Sequence, residues 1–559
     1  MGTFGSDLRY AVRMLWANPG FTAVAVLALT LGIGATTAIF TVVNSVLLQP
    51  LPYPESDRIM QVGRLFPDNQ IGNSNSIPKY MVWRQNQVFD AMTLYGEAGP
   101  GATLGVGDHP EQVKTLRASD GYFKVFGVAP LLGRTYTAAE DVPEGPKLAV
   151  IAWSLWQSRF GGDAGILGRS ITLNGEPWTV IGVLPKGFQA DPPADIWLPQ
   201  QADPNSTNQG HYLRVAGRLK PGVTLAAARA DMKIAGEHFR AAYPKWMDEK
   251  ESVAVVPLQE ATVGSVKTPL LILLGAVGFV LLIACANVAN LLLARAAVRQ
   301  RELAVRAAMG ANRGRVIRQL LTESVMLAGL GGIFGFALGN WGVRGLLLLA
   351  PGNIPRLTDP GGLRAAIPTL DWRVAMFSIG LALLTGILFG LFPALRISNP
   401  DLASILKESS GRSGTSRRHN LARSILVVAE IALALVLLAG ATLMIRTFAG
   451  LRAVNPGFDP HHVLTMTTSM SGGSYSSTGK VDNFVTQVTR RIEALPGVEA
   501  AASTIMLPVE CCIDLPFNIA GKPATNGQYN GDEQWRSVSP RYFQVFRVPV
   551  LHGRAFRET

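Results

Sequence analysis

Three charged side chains, Arg301, Glu302 and Arg306, stand together in the segment ARAAVRQRELAVRAAMGANRGRVIRQLLTES. Ala, Leu, Arg and Glu are good helix formers, and Gly310, followed by Ala311, closes the run as glycine does past a helix C-terminus. The chemistry on offer is charge-paired docking of another surface, not bond making. A basic loop that only holds membrane topology is the competing reading. Two carboxylates, Glu323 and Glu430, fall inside apolar runs, where an ionised acid is expensive. Either they couple or gate a movement, or arginine and backbone partners hold them near an interface. H-E-x-x-H and G-x-S-x-G are absent, and His109, His211 and His238 stand singly, without metal-ligand spacing. GGDAGILGRS is too long for a phosphate loop, has Arg169 in place of the lysine, and leads into a hairpin. Cys285 sits in an apolar run, and Cys511 and Cys512 are adjacent, so neither a disulfide framework nor a zinc site can be built. No catalytic residue, cofactor or metal is therefore expected.

The elements that must position these residues are membrane helices. The 559 residues are 48% hydrophobic and 16% charged, too apolar for an ordinary soluble chain. Five stretches reach the roughly 20 residues that a spanning helix needs: 21–48, 269–294, 316–349, 372–397 and 421–448. The first has too long an apolar core for a signal peptide and no small-residue cleavage site after it, so it reads as a retained anchor. The net charge of +12 resolves into topology. Arg9 and Arg13 precede the first span, Arg299, Arg301, Arg306, Arg313, Arg315 and Arg318 lie between the second and third, and Lys407, Arg412, Arg417 and Arg418 lie between the fourth and fifth. Positive-inside bias puts the N-terminus and both links in the cytoplasm, with 49–266 and 449–559 outside. Nucleic acid is not needed to explain the charge. Leu8, Val12, Leu15 and Trp16 share a helical face, so residues 1–20 read as an amphipathic helix in the membrane surface, with an ordinary helix start as the alternative. Gly331, Gly335 and Gly339 recur every four residues in the third span, and Gly386 and Gly390 repeat the spacing in the fourth. Such smooth faces favour close helix packing.

Residues 49–266 are soluble in character. GRSITLNGEPWTVIGVLP alternates around Asn174-Gly175, a strong hairpin signal. HYLRVAGRLKPG reads as a strand, Thr224 caps an amphipathic helix running to about Tyr243, and SVAVVPL reads as a further strand. Strand, helix and strand with hairpins predict an α+β domain held between two membrane helices. Part of it returns: GYFKVFGVAPLLGR at 121–134 is echoed by RYFQVFRVPVLHGR at 541–554. The fifth span and 449–559 thus read as the start of a second copy. Half a domain ordinarily cannot bury its core, so that copy is expected to be incomplete, cut short at its C-terminal side.

With its R-E-x-x-x-R-x-A-x-G-A pattern and the QLLTES after it, the basic link resembles permeases of the MacB/FtsX-like ABC transporter family. WQSRFGGDAGILGRSITLNGEPWTVIGVLPKGF is similar to that family's periplasmic core domain. NPGFTAVAVLALTLGIGATTAIFTVVNSVLLQPLPYP resembles, more nearly still, a subgroup of duplicated permeases abundant in acidobacteria. The likeness covers nearly the whole chain. It implies a membrane α-helical bundle plus an α+β periplasmic domain. One span (21–48) and a MacB-like periplasmic core domain (49–266) would precede an FtsX-like three-helix module (267–397) containing a coupling helix at 297–310. A basic linker (398–420), the span 421–448 and the incomplete domain 449–559 would then begin the second copy. The function implied is that of an inner-membrane permease subunit that passes motion from a separate cytoplasmic ATPase to a periplasmic domain, for export or periplasmic work. Arg301, Glu302, Arg306, Gly310 and Ala311 would form the docking surface. No Walker motif stands in the chain, so ATP hydrolysis would fall to the partner and the chain itself would not be an enzyme. The partners implied are the lipid bilayer, an ABC ATPase subunit and a second permease half in a dimer or pseudo-dimer. The alternative is an ATPase-independent scaffold or sensor, or a truncated fragment without function.

Overall fold

The computed structural model describes residues 2–96, 101–105, 111–244, 251–298, 313–349, 372–397, 417–468, 470, 475, 477–510, 514–523 and 530–557. They form two compact units, 1–49 with 262–449 and 50–261 with 450–559. The chain opens with helices α1 (Gly2–Trp16) and α2 (Pro19–Val43), the proline sitting where a helix start lacks an N–H partner anyway. Strands β1 (Ile59–Leu65), β2 (Ile71–Gly72) and β3 (Ser74–Asn75) lead to α3 (Ile77–Trp83). Then come β4 (Phe89–Gly96), β5 (Ala102–Gly105), β6 (Glu111–Val113), β7 (Thr115–Ala118) and the single turn α4 (Tyr122–Val125). The strands β8 (Leu132–Gly133) and β9 (Leu148–Ile151) are followed by α5 (Trp153–Phe160), β10 (Ser170–Leu173), β11 (Glu176–Val183), β12 (Ile196–Pro199) and β13 (Leu213–Leu219). Helix α6 (Leu225–Ala242) and β14 (Ser252–Pro257) complete this part. Four long helices succeed it: α7 (Leu258–Val298), α8 (Arg313–Leu349), α9 (Trp372–Ile397) and α10 (Arg417–Ala453). Helix α11 (Thr478–Glu493), the antiparallel pair β15 (Asp514–Phe517) and β16 (Gly531–Gln534), and the turn α12 (Tyr542–Val545) come last.

The α+β part is built on one sheet in the order β14-β1-β13-β4-β7-β12-β9-β11-β10-β5-β6. Its first four strands are antiparallel neighbours, and α3 and α6 cover one face through Tyr80, Trp83, Met232, Val215 and Val255. The other strands mix directions, with β7 parallel to β12 and β9 parallel to β11, and pack Leu104, Ile151, Val180 and Ile196 with Trp156 of α5. Among the described residues the two halves join between β4 and β7 at one bridged pair, Tyr95 with Ala118. Around that junction Tyr53, Tyr95, Tyr122, Phe123, Phe126 and Tyr136 make a chain of ring contacts. The hairpin predicted at Asn174-Gly175 pairs Leu173 with Glu176 and Ile171 with Trp178. Both turn residues have positive φ, 52° and 82°, as the tight turn that matches strand twist requires. The N-cap of α6 also forms as expected, Ala227 N–H donating to Thr224 Oγ1 at 3.2 Å. GGDAGILGRS makes one tight turn at Ala164–Ile166 and runs into β10 instead of opening a helix.

In the other unit, four helical stretches are long and apolar enough to cross a membrane: Pro19–Leu48, Leu258–Arg295, Ile317–Gly345 and Ser424–Ala453. Helix α9 spans 26 residues, with a described apolar stretch of Trp372–Leu388. Two expectations from the sequence change, one a helix boundary and one a helix face. Helix α7 starts at Leu258, well ahead of residue 269, and carries Pro269 inside it. The added turns are held by packing, because Val263 and Val266 meet Val42, Val46 and Val343. In α1 the face expected to be uniform divides. Leu8, Val12 and Trp16 are exposed, whereas Leu15 enters a core with Leu29, Ile33, Leu281 and Leu327.

Candidate functional site: the seams of the membrane helices

Arg301, Glu302, Arg306, Gly310 and Ala311 lie outside the described residues, which stop at Val298 and resume at Arg313. The described end of α7 is nonetheless anchored. Arg295 Nη2 donates to the Met14 carbonyl at 3.1 Å, and the guanidinium lies 4.7 Å from the centroid of the Phe21 ring. The chain therefore enters the basic link from a helix end tied to α1 and to the start of α2. Among a row of arginines in the sequence, nothing local distinguishes this one.

The glycine positions sit at close helix contacts. A Cβ on Gly331 would stand 2.6 Å from Leu29 Cβ, one on Gly335 3.1 Å from the Gly34 nitrogen, and one on Gly339 3.1 Å from the Gly34 oxygen. Helix α8 thus lies almost backbone to backbone on α2, which itself presents Gly34 at the crossing. Gly386 and Gly390 of α9 meet a different stripe of α8, with would-be Cβ distances of 3.0 Å to Ala328 Cβ and 2.5 Å to Ser324 Cβ. Polar groups stitch the same seams. Thr37 Oγ1 and Ser378 Oγ share a hydrogen bond of 3.0 Å between α2 and α9, and Phe40, a turn after Thr37, stacks its ring at 3.7 Å on Phe377, the neighbour of Ser378. Thr36 Oγ1 bonds the Gly32 carbonyl at 2.8 Å and reaches Val277 O of α7 at 3.4 Å. Sequence spacing pointed to the glycines, but a lone threonine or serine in an apolar helix gives no sign of its partner. Glu323 of α8 is 3% exposed. Glu430 of α10 is half-buried, while no residue in the apolar window of that helix is fully buried.

Between α7 and α9 lies a cavity of about 330 Å³, lined among others by Gly275, Gly278, Cys285, Leu381, Thr385 and Leu388. Its walls bring together no acid, base and nucleophile. Among the described residues no cluster of three His, Cys, Asp or Glu could hold a metal. Outside the membrane helices several titratable groups are displaced, His211, lowered to about 3 by burial, and Glu140, lowered to about 2 by its hydrogen bonds from Arg134, among them. Burial lowers Lys79, and its ion pair with Glu251, 2.6 Å long, pulls it part of the way back. Burial raises Asp141 to about 6, against the N–H bonds it accepts from Gln201 and Asp120. Lys79 and Asp141 both spend their polar atoms on partners within the fold. The described residues thus give closely packed helices α2, α7, α8 and α9, with an α+β domain inserted in the sequence between α2 and α7.

That arrangement is the one expected of a multi-pass membrane protein. Residues 22–235 match the model of the MacB-like periplasmic core domain, and 274–402 match that of the FtsX-like permease C-terminal region. The uncharacterized ABC transporter permease YknZ of Bacillus subtilis is 26% identical over 294 residues, 52% of this chain and 68% of that protein. The pyoverdine export ATP-binding/permease protein PvdT of Pseudomonas aeruginosa is 29% identical over 50% of this chain and 40% of its own length. The macrolide export ATP-binding/permease protein MacB of Neisseria gonorrhoeae is 23% identical over 60% of this chain and 52% of its own length. The chain therefore spans between 40% and 68% of the length of these relatives. It belongs to the MacB/FtsX-like family of ABC transporter permeases.

Proposed function

We propose that the chain is the membrane subunit of an ABC system, moved by an ATPase that is a separate polypeptide. In this reading the ATPase docks on the cytoplasmic link through Arg301, Glu302, Arg306, Gly310 and Ala311. The three helices after the core domain then pass that movement to the α+β domain, for export or for work outside the cytoplasm. The N-terminus and the basic links lie in the cytoplasm and the α+β domain outside the inner membrane, as the arginine distribution favours. A second permease half completes the assembly as a dimer or pseudo-dimer. The glycine seams let α8 seat against α2 and α9 without side chains in the way, and Glu323 is the acid best buried to respond when those seats shift.

The observation that carries this reading is the order of the two family matches on one chain, core domain at 22–235 and permease region at 274–402. The test is to purify the full chain from its own membranes and identify any bound ATPase. Combined charge reversal of Arg301, Glu302 and Arg306 is expected to release it and to abolish ATP-driven activity. Retention of the ATPase after reversal, or function that needs no ATP, would sink the docking reading and favour a scaffold or sensor.

A further inference from the structure

The echoed motif is matched by an echoed hydrogen-bond pattern. In the first copy Ser119 N–H donates to the Leu94 carbonyl at 2.8 Å, and Leu94 N–H donates to Ser119 Oγ at 3.0 Å. In the second, Ser539 N–H donates to Ser503 O at 2.9 Å, and Ser503 N–H donates to Ser539 Oγ at 2.9 Å. The bridge Tyr95–Ala118 recurs as Thr504–Val538. The ring pair Tyr122–Phe126, at 4.5 Å, recurs as Tyr542–Phe546 at 4.9 Å. The residue that follows the membrane exit packs its ring on the same phenylalanine in both, Tyr53 on Phe126 and Phe458 on Phe546. The backbone then turns left-handed at equivalent places, Gly127 with φ 64° and Arg547 with φ 49°.

At that last position the two copies differ, and the difference is informative. In the first copy the guanidinium of Arg218, a β13 residue, is buried. It donates to Val125 O at 2.9 Å, Pro54 O at 2.8 Å and Glu55 O at 3.4 Å, joining the segment after α2 to the aromatic turn. A Cβ at Gly127 would stand 3.0 Å from Arg218 Nη2, so the missing side chain leaves room for the guanidinium. In the second copy position 547 is itself arginine. Its Nη1 bonds Asp459 Oδ2 at 3.0 Å, and Asp459 N–H bonds Phe546 O at 2.9 Å. We propose that Arg218 and Arg547 are equivalent positioning residues, each clamping the chain that leaves a membrane span onto the Tyr-Phe-x-Val-Phe turn, one from a neighbouring strand and the other from within the turn. Glycine is tolerated at 127 because Arg218 supplies the cation, and arginine at 547 makes the second clamp independent of any such strand. The inference goes beyond the permease reading and needs no ATPase.

The two clamps differ in screening. Arg218 is 7% exposed at its side chain, whereas Arg547 is 60% exposed. Amide hydrogen exchange on the full chain in lipid nanodiscs tests the proposal. Arg547→Ala is expected to speed exchange at 457–461 and 544–548 by about two- to fivefold, the loss of protection that removing an exposed ion pair brings to local opening. About 1 M salt, with a Debye length near 3 Å, should do the same to the unaltered chain while leaving 51–58 protected. Arg218→Ala should speed exchange at 51–58 and 123–128, and Gly127→Arg/Arg218→Ala should restore protection there, which general loosening would not produce. Unchanged exchange in Arg547→Ala overturns the proposal, as does a double variant no better protected than Arg218→Ala. If Arg218→Ala does not fold, the Arg547 variant and the salt comparison decide alone.

Discussion

Lys79 holds an ammonium group at 1% exposure, a place where charge is costly unless it is answered. Nζ donates to Glu251 Oε1 at 2.6 Å and lies 5.8 Å from the Phe239 ring centroid. Removing one partner leaves the other charge stranded, at a cost of about 3–5 kcal/mol. Lys79→Met should therefore lower the thermal midpoint of the full chain sharply, and Lys79→Met/Glu251→Leu should recover most of the loss. A double variant as unstable as the single one would overturn the pairing. Asp141 makes a second residue-scale prediction, in pH. Its carboxyl moves from an ordinary 3.8 to about 6 on folding, so the folded chain holds that proton over the window between them. The stability it contributes is complete below about 4 and falls as pH rises through about 6. Thermal midpoints measured across that window should decline less in Asp141→Asn than in the unaltered chain. Identical slopes would show that another group sets the dependence. Neither residue is conspicuous in the sequence, because Lys79 follows a proline in an ordinary helix start and Asp141 sits in a polar loop.

Among the elements, the glycine seams predict opposite outcomes for the same substitution. Gly331→Ala pushes a methyl to 2.6 Å from Leu29 Cβ and should destabilise the bundle by about 1–3 kcal/mol, as overpacking does. Gly264→Ala meets open space and should be neutral or stabilise by up to about 1 kcal/mol through helix propensity. Equal midpoints for the two variants would mean that α8 and α2 do not seat as described. Elements with local signals were legible in the sequence: the Asn174-Gly175 hairpin, the Thr224 cap and the glycine spacing. Those fixed by distant partners were not. Nothing in LRVAGRL says that β13 lies between β1 and β4, or that Arg218 turns inward to carbonyls contributed from far along the chain. An arginine alternating with apolar residues ordinarily reads as a solvent-facing strand position. The early start of α7 was hidden for a similar reason, since its first turns are only moderately apolar and their packing against α2 and α8 is non-local.

Across the whole molecule, charge and hydropathy carry the strongest sequence signal, because the bilayer constrains every residue of a span at once. Topology is accordingly the prediction that belongs here. With Cys285, Cys511 and Cys512 replaced by serine, Lys186→Cys should react with an impermeant maleimide on the periplasmic side of spheroplasts. Gln300→Cys should react only after the membrane is opened. The reverse pattern would invert the orientation. The strand order of the α+β domain had no such global signal, and its least legible feature has a mechanical consequence. Among the described residues Tyr95 and Ala118 make one bridged pair between two half-sheets, with Ser119 and Leu94 exchanging two hydrogen bonds beside it, whereas β1 and β14 share a long ladder. A load across that joint would meet fewer backbone hydrogen bonds than a load across β1 and β14. Contact between the half-sheets is carried there by buried rings, Tyr95, Tyr122, Phe126 and Tyr136, in place of a ladder. Force crossing that line would bear on side-chain packing, and force crossing β1 and β14 on a zip of main-chain bonds.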